Sequence, residues 1–286
     1  MQRVFRTVLL VLSALLCACN DSSPAPSSTG AETPKADSAK PLPDAGAMVQ
    51  QMITQNGSKD FTAEMRMTSE NSDGKRDQVE FRLQRKYSAD GASSFMTVLA
   101  PKEESDKVIL AVEKNGQPTE AFSYLAGLKK LAKLDSSRQL GFRGAKVTVQ
   151  ELLGMELGQY SHSAGERETE NGQSLIKIEF KAKPNLNLAF PRIVGYFREQ
   201  DQQPARFELF GEGGELSKTM TFEEIKTIQN RQSISRVAIE DVAQKLMLKL
   251  ETRKIEYDKG LSDKIFTEDN LKASVTAASQ KLDAGK

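Results

Sequence analysis

The chain has 286 residues, of which 38% are hydrophobic, 28% charged and 6% aromatic. Its 40 Lys and Arg against 39 Asp and Glu leave a net charge of +1, which excludes a nucleic-acid binder working by bulk electrostatics. There is too much apolar material for a disordered chain. One histidine, His162, and cysteines only at positions 17 and 19 exclude a disulfide framework and a Cys/His zinc cluster, and leave little room for histidine-based catalysis.

Residues 1–18 read as a leader. Arg3 and Arg6 precede the apolar run Val8–Leu16, broken only by Ser13. The run falls short of the roughly 20 apolar residues that span a bilayer, and fits a secretory h-region. Leu16-Cys17-Ala18-Cys19 has the form of a bacterial lipobox, which predicts cleavage after Ala18 and diacylglyceryl attachment to the Cys19 thiol. The other reading is an ordinary signal peptide cut near Ala18. Residues 19–44 carry Pro24, Pro26, Pro34, Pro41 and Pro43 among Ser, Ala and Thr. Such a stretch buries too little to order itself and stays extended, so it reads as a disordered tether. Asn20 follows Cys19 where enteric bacteria use aspartate to retain a lipoprotein in the inner membrane, which points to the outer membrane and the periplasmic face of the envelope.

The folded body is expected over 45–271. Asp44 is placed to cap a helix over Ala45–Gln55, with Met48, Val49, Met52 and Ile53 at helical spacing. The period then drops to 2. Phe61, Ala63, Met65 and Met67 alternate with polar residues, Asp73-Gly74 marks a hairpin turn, and Val79, Phe81 and Leu83 alternate in the next strand. Strands are predicted over Phe95–Leu99, Val108–Val112, Phe122–Leu125 and Leu128–Leu134, with a turn at Asn115-Gly116. Thr148-Val149-Gln150-Glu151 is a capping box for a short helix ending at Gly154. Further strands are predicted over Gln159–Ser163, Leu175–Phe180, Ile193–Arg198, Ala205–Phe210, Leu216–Phe222 and Lys245–Tyr257. Strands so spaced without crossover helices give an antiparallel sheet with one apolar face to cover. Residues 272–286 read as a weakly ordered or helical tail.

Several stretches carry a resemblance: Leu99-Ala100-Pro101-Lys102; Tyr124-Leu125 leading to Leu128-Lys129-Lys130-Leu131; Gly141-Phe142-Arg143-Gly144 before the capped helix; Arg206–Phe210; Lys218–Phe222; and Ile265-Phe266-Thr267 before Leu271. Their order resembles the periplasmic outer-membrane lipoprotein-sorting proteins of the LolA/LolB type, in an uncharacterised, lipid-anchored branch. The resemblance implies a mainly β (α+β) fold: a strongly curved antiparallel sheet forming an unclosed barrel, with a few helices covering its concave face. It implies a cavity for acyl chains of a lipid or lipoprotein; the lipobox adds membrane attachment through Cys19, and an inner-membrane transporter is a candidate partner that the sequence leaves open. The chain departs from the family where the segment after Lys107 lacks tryptophan and has few aromatic residues.

The methionines at 48, 52, 65, 67, 96 and 220 suit either an adaptable lipid cavity or plain core packing. The same choice holds for Phe61, Phe81 and Phe95. The cavity candidates are Met65, Met67, Phe81, Leu83 and Phe95. His162 reads as a surface strand residue, and the chain has no G-x-S-x-G elbow, Walker loop, dinucleotide fingerprint or calcium loop. No cofactor, metal or nucleic-acid partner is expected. The reading is a non-catalytic binding module for lipid or lipoprotein sorting or transfer. The alternatives are a periplasmic lipid-sensing regulator and a hydrolase.

Overall fold

The computed structural model describes residues 41–53, 57–135, 139–142, 145–155 and 157–283, with backbone alone for 281–283. The leader, Cys19 and the tether up to residue 40 lie outside these residues, as do Arg143 and Gly144. Residues from Pro41 onward form one unit. Helix α1 (Ala45–Ile53) opens it, with Asp44 Oδ1 accepting from the Gly46 backbone N–H at 2.8 Å. The expected continuation to Gln55 falls outside the described residues.

Six strands follow as an antiparallel meander: β1 (Asp60–Asn71), β2 (Arg76–Ser88), β3 (Gly91–Ala100), β4 (Val108–Lys114), β5 (Glu120–Leu125) and β6 (Lys130–Leu134). A ribbon of β7 (Gln139–Phe142) and β8 (Ala145–Thr148) leads into helix α2 (Val149–Leu153). β9 (Tyr160–His162) pairs with β11. A second meander comprises β10 (Glu166–Glu170), β11 (Gln173–Ala182), β12 (Arg192–Arg198), β13 (Pro204–Phe210), β14 (Leu216–Ile228), β15 (Arg231–Asp241) and β16 (Leu246–Tyr257). Helix α3 (Glu268–Asp283) closes the chain.

The two meanders join through β1 and β16, which pair from Phe61 opposite Tyr257 to Asn71 opposite Leu246. The result is one antiparallel sheet of 14 strands, running from β10 through β16 and β1 to β6. β6 and β10 do not pair with each other, so the curved sheet stays an unclosed barrel. Both end strands are charged, β6 by Lys130 and Lys133 and β10 by Glu166, Glu168 and Glu170, which discourages edge-to-edge pairing.

Register sets which side chains face inward. Met65 lies opposite Phe81, Ala63 opposite Leu83 and Met67 opposite Val79, giving two adjoining apolar rows. The alternate positions form ion pairs on the wet face, Arg82–Glu64 at 2.7 Å and Arg66–Glu80 at 2.8 Å. A bulge in β16 lets both Thr252 and Ile255 keep to the inner face beside Met65 and Ala63.

Two features depart from expectation. β15 was not predicted, because its inward row reads Ser233, Ser235, Val237, Ile239 and Asp241, and three polar members hide the apolar alternation. Helix α3 covers the outer face. Its Leu271 and Val275 are buried in a separate cluster with Phe95, Val108 and Leu110, so the expected boundary at Leu271 falls inside a packed helix. Among the described α-helices, α1 and α2 pack with the inner-face core.

On the β11–β14 side the inner face is aromatic. Phe207 lies 5.0 Å from Phe222, 5.6 Å from Phe197 and 6.2 Å from Phe180 between ring centroids. Gly195 sits beneath this group. A Cβ there would stand 2.9–3.0 Å from the rings of Phe207, Phe180 and Phe197. Gly195→Ala should therefore lower stability by about 1–3 kcal/mol, the usual cost of overpacking. A urea midpoint unchanged from wild type would show that the rings yield freely.

Candidate functional site

The five-residue helix α2 crosses the inner face and is held there by buried charges at both ends. At its start the capping box forms as the sequence predicts. Thr148 N–H and Oγ1 each donate to Glu151 Oε2 at 2.8 Å, and Glu151 N–H donates to Thr148 Oγ1 at 3.1 Å. Glu151 Oε1 is left to accept from Lys218 Nζ of β14 at 2.7 Å, and Lys218 also meets Asp241 Oδ2 of β15 at 2.9 Å. All three side chains are buried. At the other end the Leu153 carbonyl accepts from Arg85 of β2 at 3.3 Å. The same guanidinium holds Glu113 of β4 through two parallel bonds of 2.5 and 2.6 Å and donates to Ser94 Oγ of β3 at 2.9 Å. One short helix thus ties both meanders together.

Between this helix, α1 and the sheet lies a cavity of about 590 Å³, within the ~300–1,000 Å³ typical of small-molecule sites. Its sheet wall carries the apolar residues Met65, Phe81, Leu83, Val237, Leu250 and Ile255, with Ser235, Arg236 and Thr252 among them. Val49, Met52 and Ile53 of α1 and Leu152 and Leu153 of α2 form the opposite wall. Along β2 the inward row changes from Phe81 and Leu83 to Arg85 and Tyr87. The end where β2 turns into β3 is therefore polar, with Glu113, Asn115, Gln159 and Lys183 added. Burial pushes the Tyr87 hydroxyl up to about 12. His162 lies exposed at the rim, its Nδ1 3.1 Å from the Ser163 carbonyl.

The structure separates the sequence candidates. Met65, Phe81 and Leu83 line the cavity. Met67 is buried in the main core and does not. Phe95 is a correction: it pairs with Gln84 and Leu110 on the outer face, one residue out of phase with inward-facing Met96, and packs beneath α3. Of the other methionines, Met52 and Met220 line the cavity, while Met48 and Met96 are core. The ion pairs and the α2 wall were not read from the sequence. The capping box marked the helix, but nothing in Lys218, Asp241, Arg85 or Glu113 taken singly shows that their partners lie far away in the chain.

A family model described as "Uncharacterized protein" matches residues 90–273, more than half of the chain. The chain belongs to that family. No curated protein matches it. Among solved structures, the fold is similar to a domain from Vibrio parahaemolyticus named for outer-membrane lipoprotein sorting, with 21% identity and a TM-score of 0.69 over 79% of this chain and 97% of that one. A DUF1329 family protein from Desulfovibrio piger gives 18% identity and a TM-score of 0.69 over 79% and 96%. A LolA superfamily protein from Nitrosomonas europaea gives 16% and 0.68 over 80% and 100%. At these identities the likeness is one of fold, and the fold is LolA-like.

The buried triad yields a test. Burial pushes the Asp241 carboxyl up, but bonds from Lys218 and Gln244 outweigh it and hold it below the ordinary range. Its contribution to stability is present above the unfolded value, about 3.9, and is lost as pH falls through the lower folded value. Lys218→Met removes the cation from two buried carboxylates and should cost about 3–5 kcal/mol at pH 7. Carboxylates without their cation favour the protonated form, so the variant should regain stability on acidification toward pH 4 while wild type does not. Parallel pH profiles in chemical denaturation would refute this account.

Proposed function

We propose that this family member is a non-catalytic, periplasmic binding protein that takes acyl chains of a lipid or lipoprotein into the inner cavity. The carrying observation is the cavity itself: a space that runs along Met65, Phe81, Leu83, Val237, Leu250 and Ile255 beneath α1 and α2, with a polar end at Arg85 and Glu113. Each CH₂ moved from water into it contributes about 0.8 kcal/mol. Flexible Met52, Met65 and Met220 in the wall suit chains of differing shape. The LolA-like fold, shared with a domain named for outer-membrane lipoprotein sorting, supports sorting or transfer as the purpose.

In this proposal Cys19 carries the acyl groups that fix the protein to the membrane, residues 20–44 are the tether, and the anchor lies in the outer membrane. An inner-membrane transporter upstream would supply the ligand. The motivation is the Leu16-Cys17-Ala18-Cys19 sequence after an apolar run, with Asn20 in place of aspartate. Among the described residues no helix is long and apolar enough to cross a membrane.

Two measurements test these parts separately. Phe81→Asn sets an amide into the apolar wall and should weaken binding of a fluorescent fatty acid about tenfold or more, within the roughly 1–3 kcal/mol cost of an unsatisfied polar group. Circular dichroism must show the variant folded. Unchanged affinity in the folded variant would mean that the ligand binds elsewhere. Cys19→Ala should abolish palmitate incorporation and release the protein from the pelleted membrane fraction or leave it unprocessed. A wild-type chain that takes up no labelled palmitate would remove the anchor from the account.

A further inference from the structure

The β5–β6 hairpin ends in a tip that the cavity does not use. Sequence periodicity extends a strand back to Leu128, but the chain instead makes a 3-10 turn over Ala126–Leu128, and Lys129 closes it at φ 48°. That turn throws Leu128 outward with 72% of its surface exposed, the most exposed large apolar residue described, and Leu125 beside it is 44% exposed. Lys129 and Lys130 follow directly and are exposed, and among the described residues neither meets a carboxylate. Lys133, lower on the strand, is paired with Glu120 at 2.9 Å. The run Leu125-Ala126-Gly127-Leu128-Lys129-Lys130 contains no acid. Its stem is fixed, because Phe122, Tyr124 and Leu131 pack with the Phe95 and Leu271 cluster.

Edge protection accounts for lysines along β6. It does not account for two leucines exposed beside them, since exposed apolar side chains promote association. Apolar residues at the tip with unpaired cations around their base match a bilayer surface instead: the leucines enter the acyl boundary and the ammonium groups meet anionic headgroups. We propose that the β5–β6 tip docks the protein on an anionic lipid surface. The 21 residues Asn20–Lys40 that precede the folded unit reach at most about 70–75 Å at ~3.3–3.6 Å each, enough for a chain anchored at Cys19 to turn this tip to the membrane. The inference is independent of what the cavity holds.

The test uses the mature chain from Asn20 onward, which lacks the leader, Cys19 and every other cysteine. It should float with vesicles of phosphatidylcholine and phosphatidylglycerol at least tenfold better than with phosphatidylcholine alone, and 0.5 M salt should reduce the difference by screening. Leu128→Asp and the pair Lys129→Gln, Lys130→Gln should each lower that partition about tenfold, while Lys226→Gln on β14 leaves it unchanged. Leu128→Cys carrying a polarity-sensitive fluorophore should shift to the blue on the anionic vesicles. All of these positions are on the surface, so folding is not at stake. Equal partition into the two vesicle types, no partition into either, or tip variants that bind like wild type would overturn the proposal.

Discussion

Helix α2 has five residues, too few to be stable alone, and its position rests on the ions at its ends. Glu151 serves twice, closing the helix cap with one oxygen and binding Lys218 with the other. Arg85 holds the far end by the Leu153 carbonyl. Because Lys218 and Asp241 belong to one meander and Arg85 and Glu113 to the other, the helix fixes the distance across the inner face. Buried charges are costly to desolvate, and each here has opposite charge and hydrogen bonds to offset that cost. The cavity is the space that remains once α2 is held above the sheet.

The sheet makes that space possible by being wide and open. Joining two meanders through β1 and β16 places the middle of the sheet at the two ends of the folded chain, and its outer edges at the middle of the chain. The segment between β6 and β10 is therefore free to cross the inner face as β7, β8 and α2 before β9 rejoins the sheet against β11. Aromatic side chains fill the inner face on the β11–β14 side, with Gly195 leaving room for their rings. Toward β1, β2 and β16 the inward row includes Met65, Phe81, Leu83, Leu250 and Ile255, and there the cavity opens.

Both faces of the sheet are in use near β3 and β4. Met96 and Ile109 point into the main core, while Phe95, Val108 and Leu110 lie under α3. The same outer cluster anchors the stem of the β5–β6 hairpin. Its tip is thus presented by a packed element, and the exposed leucines cannot simply fold back into the core.

Much of this was legible in the amino-acid sequence. Period-2 alternation fixed β1 and β2 and their wet and dry rows, since a strand must put alternate residues on opposite faces. The Asp73-Gly74 turn, with Gly74 at φ 75°, and the Thr148 capping box were readable because their chemistry is local. Three of the five cavity candidates, Met65, Phe81 and Leu83, line the cavity for the same reason. Met67 needed the third dimension, since a residue's place along the sheet decides whether it meets packed core or open space. Phe95 needed it too: it sits in a strand apolar on both faces, where alternation carries no sign. β15 was hidden by inward serines, and the roles of Lys218 and Arg85 by partners far away in the chain. The sequence determined which faces are apolar and where helices begin. Only the tertiary structure decided where those faces leave a gap, because a cavity is set by contacts between segments remote in sequence.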